Sequence, residues 1–97
     1  YTTSGVGSGQ VVDTFAAATF RSVVYQIQVT DGSAYETTFV SVMHDGTTTY
    51  LTEYGTIASG SILAAFDADI SSGNVRLLVT PNSTGAVIKL VRTTINV

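Results

Sequence analysis

The chain holds one histidine, His44, and it stands beside Asp45. Such a pair invites a nucleophilic-catalysis reading in which His44 acts as base to a serine. That chemistry needs a nucleophile on a strained elbow, and no G-x-S-x-G occurs in the sequence. A histidine just before an Asp-Gly pair is expected instead to be a solvated turn residue. The second constellation is Asp67 and Asp69 with Asn74. On a strand the two carboxylates share a face and could hold a cation, and the stretch 67–74 superficially resembles a calcium loop. Ser72, however, stands where that loop needs its glycine, and Leu78 where it needs a bidentate glutamate. As a glycosidase pair the carboxylates lack an aromatic platform, since the chain contains no Trp. The expected role is a polar strand end entering a turn.

Other motifs fail on context. The glycine-rich run 5–10 ends on Gln10 where a dinucleotide fingerprint needs glycine, and it neither follows a strand nor opens a helix. Asn82-Ser83-Thr84 fits the N-glycosylation pattern, which matters only in a secreted eukaryotic protein. Absence of Cys removes disulfides, thiolate metal sites and thiol catalysis together. No catalytic residue, cofactor or metal site is expected, and the chain reads as a non-enzyme. Tyr35, Tyr50 and Tyr54 remain, because tyrosines offer rigid apolar area plus a hydroxyl. They form either a stripe facing a surface glycan or partner, or aromatics covering a core or subunit contact; the second reading is preferred. With Val40, Val42 and Leu51 they make up the candidate interface or ligand residues.

Composition narrows the partners. Ninety-seven residues make one domain with one modest core. Charged residues are 11% of the chain, against about 25% in an ordinary domain. Much of the surface must therefore be Thr, Ser, Asn and Gly, or must sit against another protein. Seven acids outnumber four bases (Arg21, Arg76, Lys89, Arg92), so nucleic acid is not an expected partner. The longest apolar run, 62–66, falls far short of the ~20 residues that span a bilayer, and neither a membrane partner nor a leader is expected. A start at Tyr1 reads as a processed product or a piece of something longer.

The elements that must position these residues are strands. Segments 22–30, 34–44 and 47–54 alternate, and Asp31-Gly32 and Asp45-Gly46 punctuate them as hairpin turns. In the first, Val23, Tyr25, Ile27 and Val29 share a face. Burial favours a three-residue loop, Asp31-Gly32-Ser33, which pairs Val29 with Tyr35 and Tyr25 with Phe39. The second takes a two-residue turn at Asp45-Gly46, pairing Val40 with Leu51 and Val42 with Thr49. Tyr35, Phe39, Tyr50 and Tyr54 then lie on one face, and Val40, Val42 and Leu51 on the other. Both faces of this meander are apolar, one for the core and one for a second layer or a subunit interface. Residues 10–15 predict a short first strand with Val11 and Phe15 on one face, and 16–20 the only helical turn. Residues 62–70, 75–80 and 84–97 supply the remaining strands. Ile62, Ala64, Phe66, Ala68 and Ile70 share one face of the first, Val75, Leu77 and Val79 face inward on the second, and Ala86, Ile88 and Leu90 share one face of the third. The expectation is an all-β antiparallel β-sandwich, jelly-roll or Ig-like, of about seven to eight strands. It occupies 10–97 as a single domain, with 1–9 as a flexible or strapping N-terminal arm.

The order Val-Asp-Thr-Phe (12–15), Phe-Arg-Ser (20–22), Tyr-Gln-Ile-Gln-Val (25–29), His-Asp-Gly-Thr-Thr (44–48) and Thr-Glu-Tyr-Gly (52–55) carries a resemblance. Phe-Asp-Ala-Asp-Ile (66–70), Gly-Asn-Val-Arg-Leu (73–77) and the closing run 89–97 extend it over nearly the whole chain after Gly9. It resembles a β-sandwich structural module of tailed-bacteriophage virion proteins, notably those of cyanophages. The resemblance implies a non-enzymatic head-decoration, tail or fibre component located in the virion. It also implies other virion proteins as partners and a homo-oligomer or symmetric assembly. A carbohydrate- or host-receptor-binding module is the alternative.

Overall fold

The computed structural model describes residues 1–6 and 9–97. The strands are β1 (Gln10–Ala16), β2 (Phe20–Asp31), β3 (Ala34–His44), β4 (Thr49–Ala58), β5 (Ala64–Ser71), β6 (Asn74–Pro81) and β7 (Val87–Asn96). They form two antiparallel sheets, β1-β6-β5 and β4-β3-β2-β7. No helix occurs among the described residues. The helical turn expected at 16–20 is a short turn carrying the chain from the smaller sheet to the larger, with Thr19 N–H donating to Ala16 O (3.1 Å). An isolated helical turn gives one hydrogen bond for several fixed dihedrals, so the strands on either side take its ends.

Between the sheets lies one core. Val23, Tyr25, Ile27 and Val29 of β2, Val40 and Val42 of β3, and Ile88 of β7 face Phe15, Ala64, Phe66, Ala68, Val75, Leu77 and Val79. The faces expected for β2, β5, β6 and β7 hold. Two ends differ. Val11 is exposed because a bulge between Val11 and Asp13 turns it away from Phe15. Ile62 precedes β5 and is half exposed.

Both hairpin registers differ from expectation. At the first, Asp31 pairs with Ala34 and Tyr25 with Val40, so the loop is the two residues Gly32-Ser33. Gly32 has φ +60°, the positive value that the first central position of a type II′ turn demands. One residue of slip from the expected pairing reverses every side chain of β3. Tyr35 and Phe39 therefore point outward, and Glu36, Thr38, Val40, Val42 and His44 point inward. Ranking faces by apolarity alone missed this, because the polar inward groups find hydrogen bonds, described below.

At the second hairpin Val42 pairs with Leu51 and His44 with Thr49, leaving a four-residue loop, 45–48. Asp45 Oδ1 accepts N–H bonds from Thr47 (2.9 Å) and Thr48 (2.7 Å), so a side chain completes the turn. Those bonds, Thr48 first, hold the Asp45 carboxyl below the usual range. A shift of two residues leaves the β4 side chains facing as expected relative to β3, so Tyr50 and Tyr54 turn outward together with Phe39. Further along β4 the ladder slips by one residue opposite Thr38, at Gly55 with φ +66°. Glycine takes that conformation cheaply in a bulge, and here the Phe39 ring lies over it, 3.3 Å from where a Cβ would stand.

The arm is tied down at its start. Thr3 N–H donates to Ala86 O (2.9 Å), Gly85 N–H to Thr3 O (2.9 Å) and Ile88 N–H to Tyr1 O (2.6 Å). Thr2 bridges Val87 and thereby covers the first part of the β7 edge. Gly7 and Ser8 of the glycine-rich run lie outside the described residues.

Candidate assembly surface

The outer face of the larger sheet is a grid whose rows cross the four strands. From the pairings, its rows are Tyr50-Met43-Ser22-Ile95, Thr52-Ser41-Val24-Thr93, Tyr54-Phe39-Gln26-Val91 and Ile57-Thr37-Gln28-Lys89. A last row holds Tyr35, Thr30 and Val87. Tyr35, Tyr50, Tyr54, Met43 and Ile57 are each 46–71% exposed, and Phe39 is 36%. Lys89 is the grid's single charged side chain.

Along β3 the large residues Met43, Phe39 and Tyr35 alternate with Ser41 and Thr37 and make the surface corrugated, and on β4 Tyr50 and Tyr54 flank Thr52. Phe39 and Tyr54 stack with centroids 5.4 Å apart and planes at 11°, forming a ridge. A shallow depression lies on each side of it. One has Ser41 and Thr52 in its floor and Met43 and Tyr50 at its rim; the other is lined by Thr37, Ile57 and Tyr35. The Tyr50 hydroxyl donates to Asp45 Oδ2 at 3.2 Å, which ties its ring to the turn.

The structure thus separates the six candidate residues. Tyr35, Tyr50 and Tyr54 share the outer face and are exposed, so they are not core aromatics. Val40 and Val42 are buried between the sheets and line no surface of this chain, whereas half-buried Leu51 packs against the core and also borders the depression of Ser41 and Thr52. The burial of the two valines follows from the two-residue loop at Gly32-Ser33.

The chemistry candidates resolve into structural roles. His44 is not a solvated turn residue but is 2% exposed. Gly46 N–H donates to its Nδ1 (2.9 Å), so Nε2 carries the proton and donates to Phe20 O (2.7 Å). Both ring nitrogens are used, and the ring fastens the β3–β4 loop to the start of β2. Asp69 is held by a two-pronged bond from Arg76, Nε to Oδ1 at 2.7 Å and a second nitrogen to Oδ2 at 2.5 Å. That contact keeps its carboxyl below the usual range. Asp67 accepts from Ala68 N–H instead (2.8 Å). No group of three or more His, Cys, Asp or Glu suited to a metal occurs among the described residues. Asn82 donates to Ile62 O at 2.6 Å.

Two polar networks carry structural weight that the strand periodicity did not reveal. Asp13 Oδ2 accepts from Tyr25 O–H (2.9 Å) and from Arg92 (2.9 Å), and Arg92 also donates to Thr14 O (3.1 Å). This joins β1 of one sheet to β2 and β7 of the other. Burial first, then the bond to Asp13, pushes the Tyr25 phenol up, so it stays protonated as a donor. The second network sits inside β3 and β4. Thr38 O–H bonds Glu53 (3.0 Å) and lies 2.8 Å from the Thr56 hydroxyl, while Glu36 Oε1 accepts from Leu63 N–H (2.6 Å). Glu36 Oε2 is buried with no partner among the described residues, and burial raises the carboxyl above its ordinary range.

A raised carboxyl binds its proton more tightly folded than unfolded. Its stability contribution is full below the unfolded value and is lost as pH rises through the folded one. Glu36→Gln is therefore expected to stabilise the fold at pH 7 by about 1 kcal/mol, by removing a buried charge with a free lone pair. Near pH 4 the gain should vanish. Urea unfolding of both proteins at the two pH values checks this, and an equal gain at both would refute the assignment.

The chain matches no protein-family model, and it matches no curated protein sequence or solved structure.

Proposed function

We propose that this chain is a non-enzymatic structural module of a phage virion, a head-decoration, tail or fibre component that works by protein–protein assembly. The single observation that carries the assembly half is the outer face of the β4-β3-β2-β7 sheet. Nine of the chain's exposed large apolar side chains stand on it, with Lys89 as its one charge. So many exposed large apolar side chains gathered on one face support its being an interaction site. The opposite outer face is unlike it, because there Asp67, Asp69 and Arg76 stand among Ala65, Leu78 and Thr80. The virion half rests on the resemblance of the motifs between residues 12 and 97. In strand number the sandwich is closer to immunoglobulin-like domains than to an eight-stranded jelly roll. In the immunoglobulin arrangement the first strand pairs with the second, whereas here β1 pairs with β6.

Cryo-EM of the particle that carries this chain tests the reading. The expected map buries the outer face of the larger sheet against a neighbouring protein; a map with that face in solvent would contradict it. The glycan-binding alternative draws on the same half-exposed tyrosines. Glycan-array binding that disappears in Tyr50→Ala or Tyr54→Ala, with folding intact, would replace assembly by carbohydrate recognition.

A further inference from the structure

The geometry points to a second copy of this chain as the occupant of the apolar face, packed sheet to sheet about a two-fold axis. This inference rests on the assembly reading and names its partner. Three features of the face favour a copy of itself over an unrelated protein.

The first is shape. Along β3 the ridge residue Phe39 lies two residues from Ser41 on one side and two from Thr37 on the other, with Met43 and Tyr35 two residues beyond those. Two residues of strand span roughly 7 Å, so ridges recur at about 14 Å with grooves midway. A face with ridges and grooves of equal spacing is complementary to itself. Turning a copy by 180° and offsetting it by half a period seats each Phe39–Tyr54 ridge in the other copy's groove. Both grooves are floored by small or β-branched side chains, Ser41 and Thr52 or Thr37, which leave room for a ring. A two-fold contact of this kind presents the same patch from both subunits.

The second feature is charge. The grid carries no acidic side chain, and its one base, Lys89, lies on β7 at the margin away from the β3–β4 ridges. A partner chosen by charge complementarity has almost nothing here to recognise. The nearest carboxylate is Asp45 at the Tyr50 corner, so two copies meet with no like charges beside the Phe39–Tyr54 ridge.

The third feature is size. Four strands about 4.8 Å apart and ten residues long cover roughly 600 Å² in projection, and more once corrugated. Stable interfaces bury about 800 Å² per partner. Pairing through the sheet edges fits less well, since the β4 edge carries the Gly55 bulge and the arm occupies the start of the β7 edge.

Sedimentation equilibrium of the full chain across a concentration series tests the proposal. The wild type is expected to move from 10.1 kDa toward twice that mass. Ser41→Arg fills a groove from a position that points away from the core. It should weaken dimerisation at least 100-fold, with an unchanged far-UV circular dichroism spectrum. Ala65→Arg, on the outer face of the smaller sheet, should dimerise as the wild type does. Thr37→Arg provides a second groove-filling variant should Ser41→Arg fold poorly. A wild type that stays monomeric at every concentration overturns the self-pairing, and so does a dimer that survives Ser41→Arg and Thr37→Arg. A monomer leaves the assembly reading standing, because another virion protein would then cover the face. Only a particle map with the face in solvent removes that reading.

Discussion

Replacing Tyr25 with alanine should cost about 3–5 kcal/mol, the usual loss when a fully buried aromatic ring is removed. The ring is 0% exposed at the centre of β2, and its hydroxyl reaches across the sandwich to Asp13. Tyr25→Phe keeps the ring and removes one hydrogen bond to a carboxylate, so its expected cost is about 1.5–3 kcal/mol. The two variants separate packing from polar tethering. In Tyr25→Phe, Asp13 retains Arg92 as a partner at 2.9 Å and is not stranded. A domain of this length loses about 4–8 °C of Tm for each kcal/mol, so thermal unfolding resolves all three proteins. If Tyr25→Phe melts with the wild type, the Asp13 tether contributes nothing and the sheets are held by apolar contact alone.

His44→Ala should have the second-largest effect, about 3 kcal/mol. It removes a buried ring beside Phe15, with centroids 6.5 Å apart, and deprives Gly46 N–H and Phe20 O of their shared partner. Each buried group left unpaired costs about 1–3 kcal/mol, less where water can reach the loop. His44→Phe restores most of the volume and neither hydrogen bond. It is expected to recover only part of the loss, as denaturant unfolding of the three proteins would show. Full recovery by Phe would mean that His44 acts as a hydrophobic filler and not as a clasp on the β3–β4 loop.

These two side chains mark what could be read in the sequence and what could not. Strict alternation around Tyr25 gave β2 its inward face, because a half-buried strand imposes a period of two. The same held for Phe66 in β5, Leu77 in β6 and Ile88 in β7. Position β3 was harder. Apolarity places Tyr35 and Phe39 inside, but the turn at Gly32-Ser33 sets the register, and it puts Glu36, Thr38 and His44 inside instead. Those three are tolerated there through Leu63, Glu53, Thr56, Gly46 and Phe20, residues up to 27 positions away. No local pattern encodes partners so remote. The Asp13–Tyr25–Arg92 tether is illegible for the same reason, since Asp13 and Arg92 are 79 positions apart.

For the candidate surface, the sequence grouped Tyr35, Tyr50 and Tyr54 on one face of the meander, and the structure keeps them together. It grouped Val40, Val42 and Leu51 on the opposite face as well, and that face is the core. Two apolar faces were therefore visible from alternation alone. Which of them faces outward was decided by one residue of register at a glycine turn.

On the proposed reading, the outward face of Tyr35, Phe39, Met43, Tyr50 and Tyr54 is a docking surface. Hydroxyl-radical footprinting reads it residue by residue, and Met43, the chain's single methionine, gives an unambiguous signal. In dilute chain, Met43, Tyr50 and Tyr54 should react readily while Tyr25 stays silent. In the assembled particle those three should become protected as Tyr25 is. Equal reactivity of Met43 and the two tyrosines in both states would contradict the account.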